Sequence, residues 1–412
     1  MSPAPPQPTA PVRVAMIGQK GYPPVHGGIE RHVAELARRL PGHGVELLLY
    51  SRPHYSSLRG PTDVPGVSVR RMPSVPTKNL DAATHSLLCT ADVLPRRIDL
   101  VHYHALGPSL LSGLPRALAR KRTLVTVHGL DWQRAKWGRS ARALLRLGEW
   151  ASASLPDATV VVSRDLQEHY RRRHGRETIY IPNGISPPTP QPPRLILERG
   201  LDGPYILFVG RLVPEKGCHL LLEAFASLPE DLRQNHRLVI AGDAGFTGGY
   251  AAQLRQSAPG GVEFLGFVHG RILEELYTSA AVLVLPSTLE GLAITLLEGM
   301  SYERCCLVSD IAPNREAGGA WVSTFRSGDA ADLGRKLAAL LRDPQERRRL
   351  GEGARRRVEA NYSWDRVAAD TAALYRTVLA GRRQPARTAG DDGGAAPREG
   401  GRERTRDGAI GG

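Results

Sequence analysis

On either side of a proline-rich segment, Ile-Ser-Pro-Pro-Thr-Pro-Gln-Pro-Pro at 185–193, short apolar runs alternate with stretches of helical spacing, and this doubled alternation restricts the chain to few architectures. Apolar runs bounded by turn residues predict strands buried on both faces, a setting that parallel sheets covered by helices provide. Before the segment they fall at 12–18, 45–50, 100–104, 123–128, 159–162 and 178–181. After it they fall at 205–210, 238–241, 262–265, 282–285, 307–309 and 321–324. Between the first two, Ile29, Val33, Leu36, Ala37 and Leu40 trace a helix closed by Gly42 and Gly44. The pattern predicts an α/β protein of two Rossmann-like, doubly wound parallel-sheet domains, at 11–184 and 201–363, with a linker at 185–200. Ligand contacts are expected on loops beyond the carboxyl ends of the strands.

A chain of 412 residues is long enough to bury a core in each half. The stretch from 330 to 380 reads as helical throughout, while the lead at 1–10 and the Gly-, Arg- and Asp-rich tail at 382–412 have too little apolar content to order themselves. No run approaches the 18 apolar residues of a membrane span, and the amino terminus lacks a charged region and an apolar core. The four cysteines, Cys89, Cys218, Cys305 and Cys306, lack metal-ligand spacing, so no metal is expected and a cytoplasmic setting is.

Two carboxylates follow the apolar run at 281–285: Glu290 and Glu298, with seven residues between them. On a helix they would stand roughly 12 Å apart, beyond the roughly 5 to 9.5 Å of paired glycosidase acids. Such spacing suits two acids gripping different parts of one long ligand beside a helix N-terminus that favours phosphate. After the apolar run that ends at Gly210, Arg211 and Lys216 occupy a strand-to-helix loop, where a guanidinium fork and an ammonium can together neutralise a diphosphate. A nucleotide sugar carries all of these groups. His128, at a strand end before Gly129, is placed either to enter a cleft or to close a local hydrogen bond; His26 and His32 read as helix-cap or surface groups. Asp131 and Trp132 could hold His128 or an acceptor, without a catalytic role of their own.

Six pieces in order resemble family 4 of the retaining glycosyltransferases, which have the two-domain GT-B fold. They are GYPPVHGGIERH (21–32), VHGLDWQR (127–134), IPNG (181–184), VGRLVPEKG (209–217), AGD (241–243) and the Glu290/Glu298 segment. The resemblance implies a ribose ligand at Glu298, a diphosphate clamp at Arg211 and Lys216, and a donor-sugar ligand at Glu290. It implies N–H groups of Gly291, Leu292 and Ala293 facing sugar and phosphate, close backbone approach to the diphosphate at Gly27 and Gly28, and His128 near the reacting sugar. Val268 falls where the family touches the nucleobase, and a helix at 364–381 would cross back to the first domain. Catalytic roles are thus expected for His128, Glu290, Arg211 and Lys216, with a nucleotide-diphosphate sugar as donor and no other cofactor. The acceptor is expected to be a glycan or a lipid-linked group, in cell-surface or exported polysaccharide assembly. Many members carry Gly or Ser and then Pro after the first Glu, where this chain has Leu292-Ala293-Ile294-Thr295, a change that keeps the backbone donors and leaves open which sugar hydroxyls are read.

No Asp-x-Asp pair is present to hold a divalent cation, a task that passes to Arg211 and Lys216. Residues 1–190 carry 26 Lys and Arg against 13 Asp and Glu, whereas the remainder is almost balanced. There Trp132, Trp137 and Trp150 alternate with Arg134, Lys136, Arg139, Arg142 and Arg146, and Arg171–Arg173 add three charges. An anionic membrane surface is one partner for such a face; a solvated basic face is the other reading. Nucleic acid is not expected, for want of RNP-like aromatics, zinc-finger spacing or a helix-turn-helix. The phosphate loop lacks Gly-x-Gly-x-x-Gly, which argues against NAD. A nucleotide-sugar epimerase of the same fold and a non-catalytic nucleotide-sugar-binding protein are the rival functions.

Overall fold

The computed structural model describes residues 10–25, 27–56, 58, 60–77, 80–243 and 248–381. His26, the lead apart from residue 10, and the tail at 382–412 lie outside the described residues. The first half contains β1 (Val12–Ile17), α1 (Gly28–Arg39), β2 (Val45–Ser51), β3 (Gly60–Pro61), β4 (Val67–Arg71), α2 (Asp81–Val93) and β5 (Leu100–His104). It continues with α3 (Leu106–Ser109), α4 (Gly113–Ala119), β6 (Arg122–Val127), α5 (Arg139–Ser154), β7 (Ala158–Val161), α6 (Arg164–His174) and β8 (Ile179–Tyr180). Its sheet has the order β3-β4-β2-β1-β5-β6-β7-β8 and is parallel except where β3 pairs with β4.

The second half contains β9 (Tyr205–Val209), α7 (Cys218–Ala226), α8 (Glu230–Asn235), β10 (Arg237–Ala241), α9 (Gly248–Ser257), β11 (Val262–Gly266) and α10 (Arg271–Ser279). There follow β12 (Val282–Leu285), α11 (Ile294–Ser301), β13 (Cys306–Ser309), α12 (Ala312–Gly318) and β14 (Ser323–Phe325), then α13 (Ala330–Arg342), α14 (Pro344–Asn361) and α15 (Trp364–Leu379). Its parallel sheet runs β11-β10-β9-β12-β13-β14. Both sheets reverse strand order beside β1 or β9, and the loops after those strands therefore open into the crevice where doubly wound sheets bind ligands.

Strands β1, β9 and β12 are almost wholly buried because helices cover both sheet faces. Helix starts follow local chemistry: Ser163 caps α6 by accepting from Leu166 N, and Asp343 caps α14, whose first residue is Pro344. Trp364, 1% exposed, sits with Val367, Ala372 and Tyr375 against Val14, Met16, Val33 and Leu36, so α15 packs on the first sheet beside α1. Burying side chains of this size contributes about 1.5–3 kcal/mol each. Polar contacts fix the seat of α15: Tyr375 OH lies 2.8 Å from His102 Nδ1, and Arg39 Nε is 2.6 Å from Asp365. The chain passes between the halves twice, and the two passages lie side by side where Ile185 N donates to Tyr362 O at 2.8 Å. Gly184 has no room for a side chain there, since a Cβ would stand 2.5 Å from Trp364 N. The four cysteines are free and buried.

Candidate active site

The loop after β9 carries Arg211 and bends through a turn of 3-10 helix at Pro214–Lys216 to start α7. Gly217 is required at that bend: its φ is +68°, and a Cβ would stand 2.0 Å from Pro286 O. This brings the loop against the one after β12, where Lys216 Nζ meets Glu290 Oε1 at 2.5 Å. Two expected ligands of the donor are thus paired with each other. Arg211 is largely withdrawn from water, and burial followed by the Arg134 guanidinium lowers its pKa, with Glu215, Glu290 and Glu30 opposing.

Glu290 lies in the loop, not on the helix, because α11 begins only at Ile294. The helical spacing expected of the two acids therefore holds only for the last turn, which carries Glu298. Gly291, Leu292 and Ala293 enter that helix start, and their N–H groups make no hydrogen bond to another described residue. Glu298 is engaged at both oxygens, by Arg31 Nη1 of α1 at 2.6 Å and by Tyr277 OH at 2.9 Å. Its carboxylate raises the Arg31 pKa, against the cost of burial. A cavity of about 280 Å³ opens beside it, lined by Arg31, Ser186, Tyr277, Glu298, Tyr302 and Trp364 among others. Val268, on the loop between β11 and α10, is not among the lining residues, although Gly270 two positions on is.

The first domain meets this wall directly. Gly27 takes φ +112° at the start of α1, and a Cβ on Gly28 would stand 4.0 Å from Ile294 Cδ1, so the N-termini of α1 and α11 face one another. A Cβ on Gly291 would stand 2.0 Å from His128 O, which places the His128 loop against the Glu290 loop. His128 Nε2 lies 3.1 Å from His104 Nδ1, and its ring packs 4.8 Å from that of His32. Burial, reinforced by His32, His102 and Arg134, holds the His128 pKa well below the ordinary histidine value, so the ring is neutral. His32 is not the surface group expected: it is 3% exposed, its Nδ1 contacts Asn183 Oδ1 at 2.9 Å, and burial lowers its pKa to about 4. Asn183 in turn donates to Leu292 O across the cleft at 2.9 Å.

Ring nitrogens of His32, His104 and His128 lie within 4.8 Å of one another, as do the ligand atoms of Glu149, His169 and His174. In the first set His104 and His128 bond to each other and His32 to Asn183. In the second, both imidazoles reach Glu149 Oε1, at 2.7 and 2.8 Å, and Trp132 Nε1 donates to Oε2 at 2.6 Å. Trp132 is thereby tied to α5, with the Arg146 guanidinium 4.8 Å from the centre of its ring, and Asp131 pairs with Arg134 at 2.9 Å. Arg171 and Arg172 share Glu168, and Arg173 reaches Glu149, so that run is partly compensated rather than free. Sequence reasoning missed Lys20, Arg31, Lys136, Asn183 and Tyr277 as cleft residues. Asn183, inside the IPNG motif, and Arg31, inside GYPPVHGGIERH, carried a signal that could have found them.

Two facing α/β halves with a cleft of this make-up define a GT-B protein. The model for glycosyl transferases group 1 matches residues 196–357, and that for glycosyltransferase family 4 matches residues 26–187. A D-inositol 3-phosphate glycosyltransferase of Geodermatophilus obscurus is 31% identical over 401 residues, covering 87% of each chain. An alpha-maltose-1-phosphate synthase of Mycobacterium tuberculosis is 26% identical, over 90% of this chain and all of its own. Among solved structures, a sucrose-phosphate synthase from Thermosynechococcus elongatus superposes with a TM-score of 0.77 at 22% identity, covering 90% of this chain and 100% of its own. HepE of Anabaena, solved with UDP and glucose, superposes at 0.74 and 17% identity, covering 89% of this chain and 100% of its own. The chain belongs to glycosyltransferase family 4 and is a glycosyltransferase.

Proposed function

We propose that the protein transfers a sugar from a nucleoside-diphosphate sugar to a glycan or lipid-linked acceptor, with retention of anomeric configuration, in the assembly of a cell-surface or exported polysaccharide. The observation that carries this reading is the convergence, on one cleft wall, of Arg211, the Lys216–Glu290 pair, Glu298 and the unbonded N–H groups of Gly291 to Ala293. A diphosphate lodged there meets two cations and the N-terminus of α11. Glu290, released from Lys216 by the phosphate, turns to the sugar, and Glu298 exchanges Arg31 for ribose hydroxyls.

The bond from C1 to the phosphate oxygen breaks with its electron pair leaving on the diphosphate. The acceptor oxygen attacks from the same face, and its proton passes to the departing phosphate oxygen. Arg211, Lys216 and the backbone donors stabilise the charge that grows on that leaving group; a single such contact is worth about 2.7–4 kcal/mol in comparable sites. Neutral His128 hydrogen-bonds the sugar at the first-domain side rather than acting as a charged acid. For membrane docking, the support is the outer face of α5, which presents Arg139, Arg142 and Arg146 beside exposed Leu144, Leu147 and Trp150. No helix among the described residues is long and apolar enough to cross a membrane.

The test is incubation with UDP-, GDP- and dTDP-sugars and candidate acceptors, read as free nucleoside diphosphate and new glycoside. Acceptor-dependent release supports transfer. An epimer formed without acceptor, or tight donor binding with no product, contradicts it in favour of isomerisation or of a binding role.

A further inference from the structure

We propose that Lys20 and Lys136, both from the first domain, complete the diphosphate site, so that the donor phosphates are gripped from both halves of the molecule. This rests on the nucleotide-sugar reading above and assigns two residues to it. Lys20 lies in the loop after β1, and Lys136 in the loop between β6 and α5. Arg211 of the second domain is among the charged neighbours of both, and Lys20 is among those of Lys136. None of the three is paired with a carboxylate within the described residues, although each is partly withdrawn from water.

The cations around them are already spoken for: Arg134 is bound to Asp131 at 2.9 Å and Lys216 to Glu290 at 2.5 Å. Glu30 is a counter-charge of Lys20 but not its ion-pair partner: its carboxylate accepts from the Lys20 backbone N–H at 3.0 Å, which fixes the loop, and it opposes the lowering of the Lys20 pKa. The Lys136 ammonium lies 4.4 Å from the centre of the Trp137 ring, which holds it in place without neutralising it. Burial, then Arg134 and Arg211, brings the Lys136 pKa down to about 8, with Asp131 opposing and Lys20 adding to the fall, and Lys20 is lowered chiefly by burial against Glu30. Three partly buried cations, with carboxylates near them but none in an ion pair with them among the described residues, gain when an anion enters between them. An anion that reaches Arg211 on one wall reaches these ammonium groups on the other.

The experiment is calorimetric titration of the full chain with inorganic pyrophosphate, which needs no knowledge of the base or sugar. Lys20→Gln and Lys136→Gln are each expected to weaken pyrophosphate about tenfold, Lys136→Arg to restore most of the loss, and neither Gln variant to lower the thermal midpoint of the free protein, since a like-charge contact has been removed. Unchanged pyrophosphate affinity in both variants, with binding lost in Arg211→Gln, would overturn the first-domain contribution and leave the donor site standing. Orthophosphate binding to UDP-saturated protein that depends on Lys20 and Lys136 would also overturn it, placing the lysines at an anionic acceptor. Lysine-dependent pyrophosphate binding without any turnover of nucleotide sugars would count against the proposed reaction, not against this site.

Discussion

Glu298 shows how one side chain serves the free and the liganded protein. Without donor its charge is compensated by Arg31 and its second oxygen by Tyr277, so nothing buried is left unmatched. Ribose hydroxyls can take those positions at little net cost. Glu298→Gln keeps the shape and removes the charge; the donor KM is expected to rise about tenfold with kcat less affected, as for a group that binds ground and transition states alike. The histidines define a second residue-scale property. Buried His32 and His85 have folded pKa values near 4, below the ordinary value of 6.5, through burial first. The unfolded chain takes up protons before the folded one as pH falls, so their contribution is complete above pH 6.5 and is lost as pH falls through 4. Between pH 6.5 and 5 the loss is on the order of 2 kcal/mol per histidine. Urea unfolding at pH 7.5 and pH 5 measures it, and His85→Leu is expected to show a smaller difference than the unaltered chain.

At the scale of elements, the strand assignments succeeded where runs are apolar on both faces, and slipped where one face is wet. β4 was not read because Val67 and Val69 alternate with Ser68 and Arg70, and β3 because it spans only Gly60 and Pro61 at the sheet edge. Trp321 ends a turn of 3-10 helix rather than starting a strand, and β14 begins at Ser323. The loop before α11 is the element on which the site depends. Gly291→Ala would drive a Cβ into His128 O, so the loop or the whole domain must shift; activity is expected to fall at least tenfold with only a modest change in donor affinity. The outer face of α5 carries a separate expectation. Vesicles containing anionic lipid should sediment the protein at low salt, and Arg139→Gln with Arg142→Gln should reduce the amount bound. Equal retention on neutral and anionic vesicles would remove membrane docking from the account.

For the whole molecule, the architecture was legible because two sets of buried strands leave little else for the helices to cover. Arg211, Lys216, Glu290 and Glu298 could be singled out because the first three lie in loops that follow strands and the last in the helix that follows, all in the same half of the chain; their roles remain proposals. What could not be read is what crosses between halves. Arg31 is 267 positions from Glu298, and the helical spacing of α1 alone does not distinguish it from Arg38 or Arg39, which pair with Glu35. The contacts of Trp132 and Arg173 with Glu149 likewise depend on where α5 lies relative to its neighbours, whereas Arg171 and Arg172 meet Glu168 within α6 at helical spacing. In the reaction we propose, a cation pair on the second domain stabilises a departing diphosphate. The most direct test of this is steady-state turnover of a nucleotide sugar by folded Arg211→Ala and Lys216→Ala. The account expects kcat to fall by about 10²–10³ in each; near-normal rates in both would contradict it.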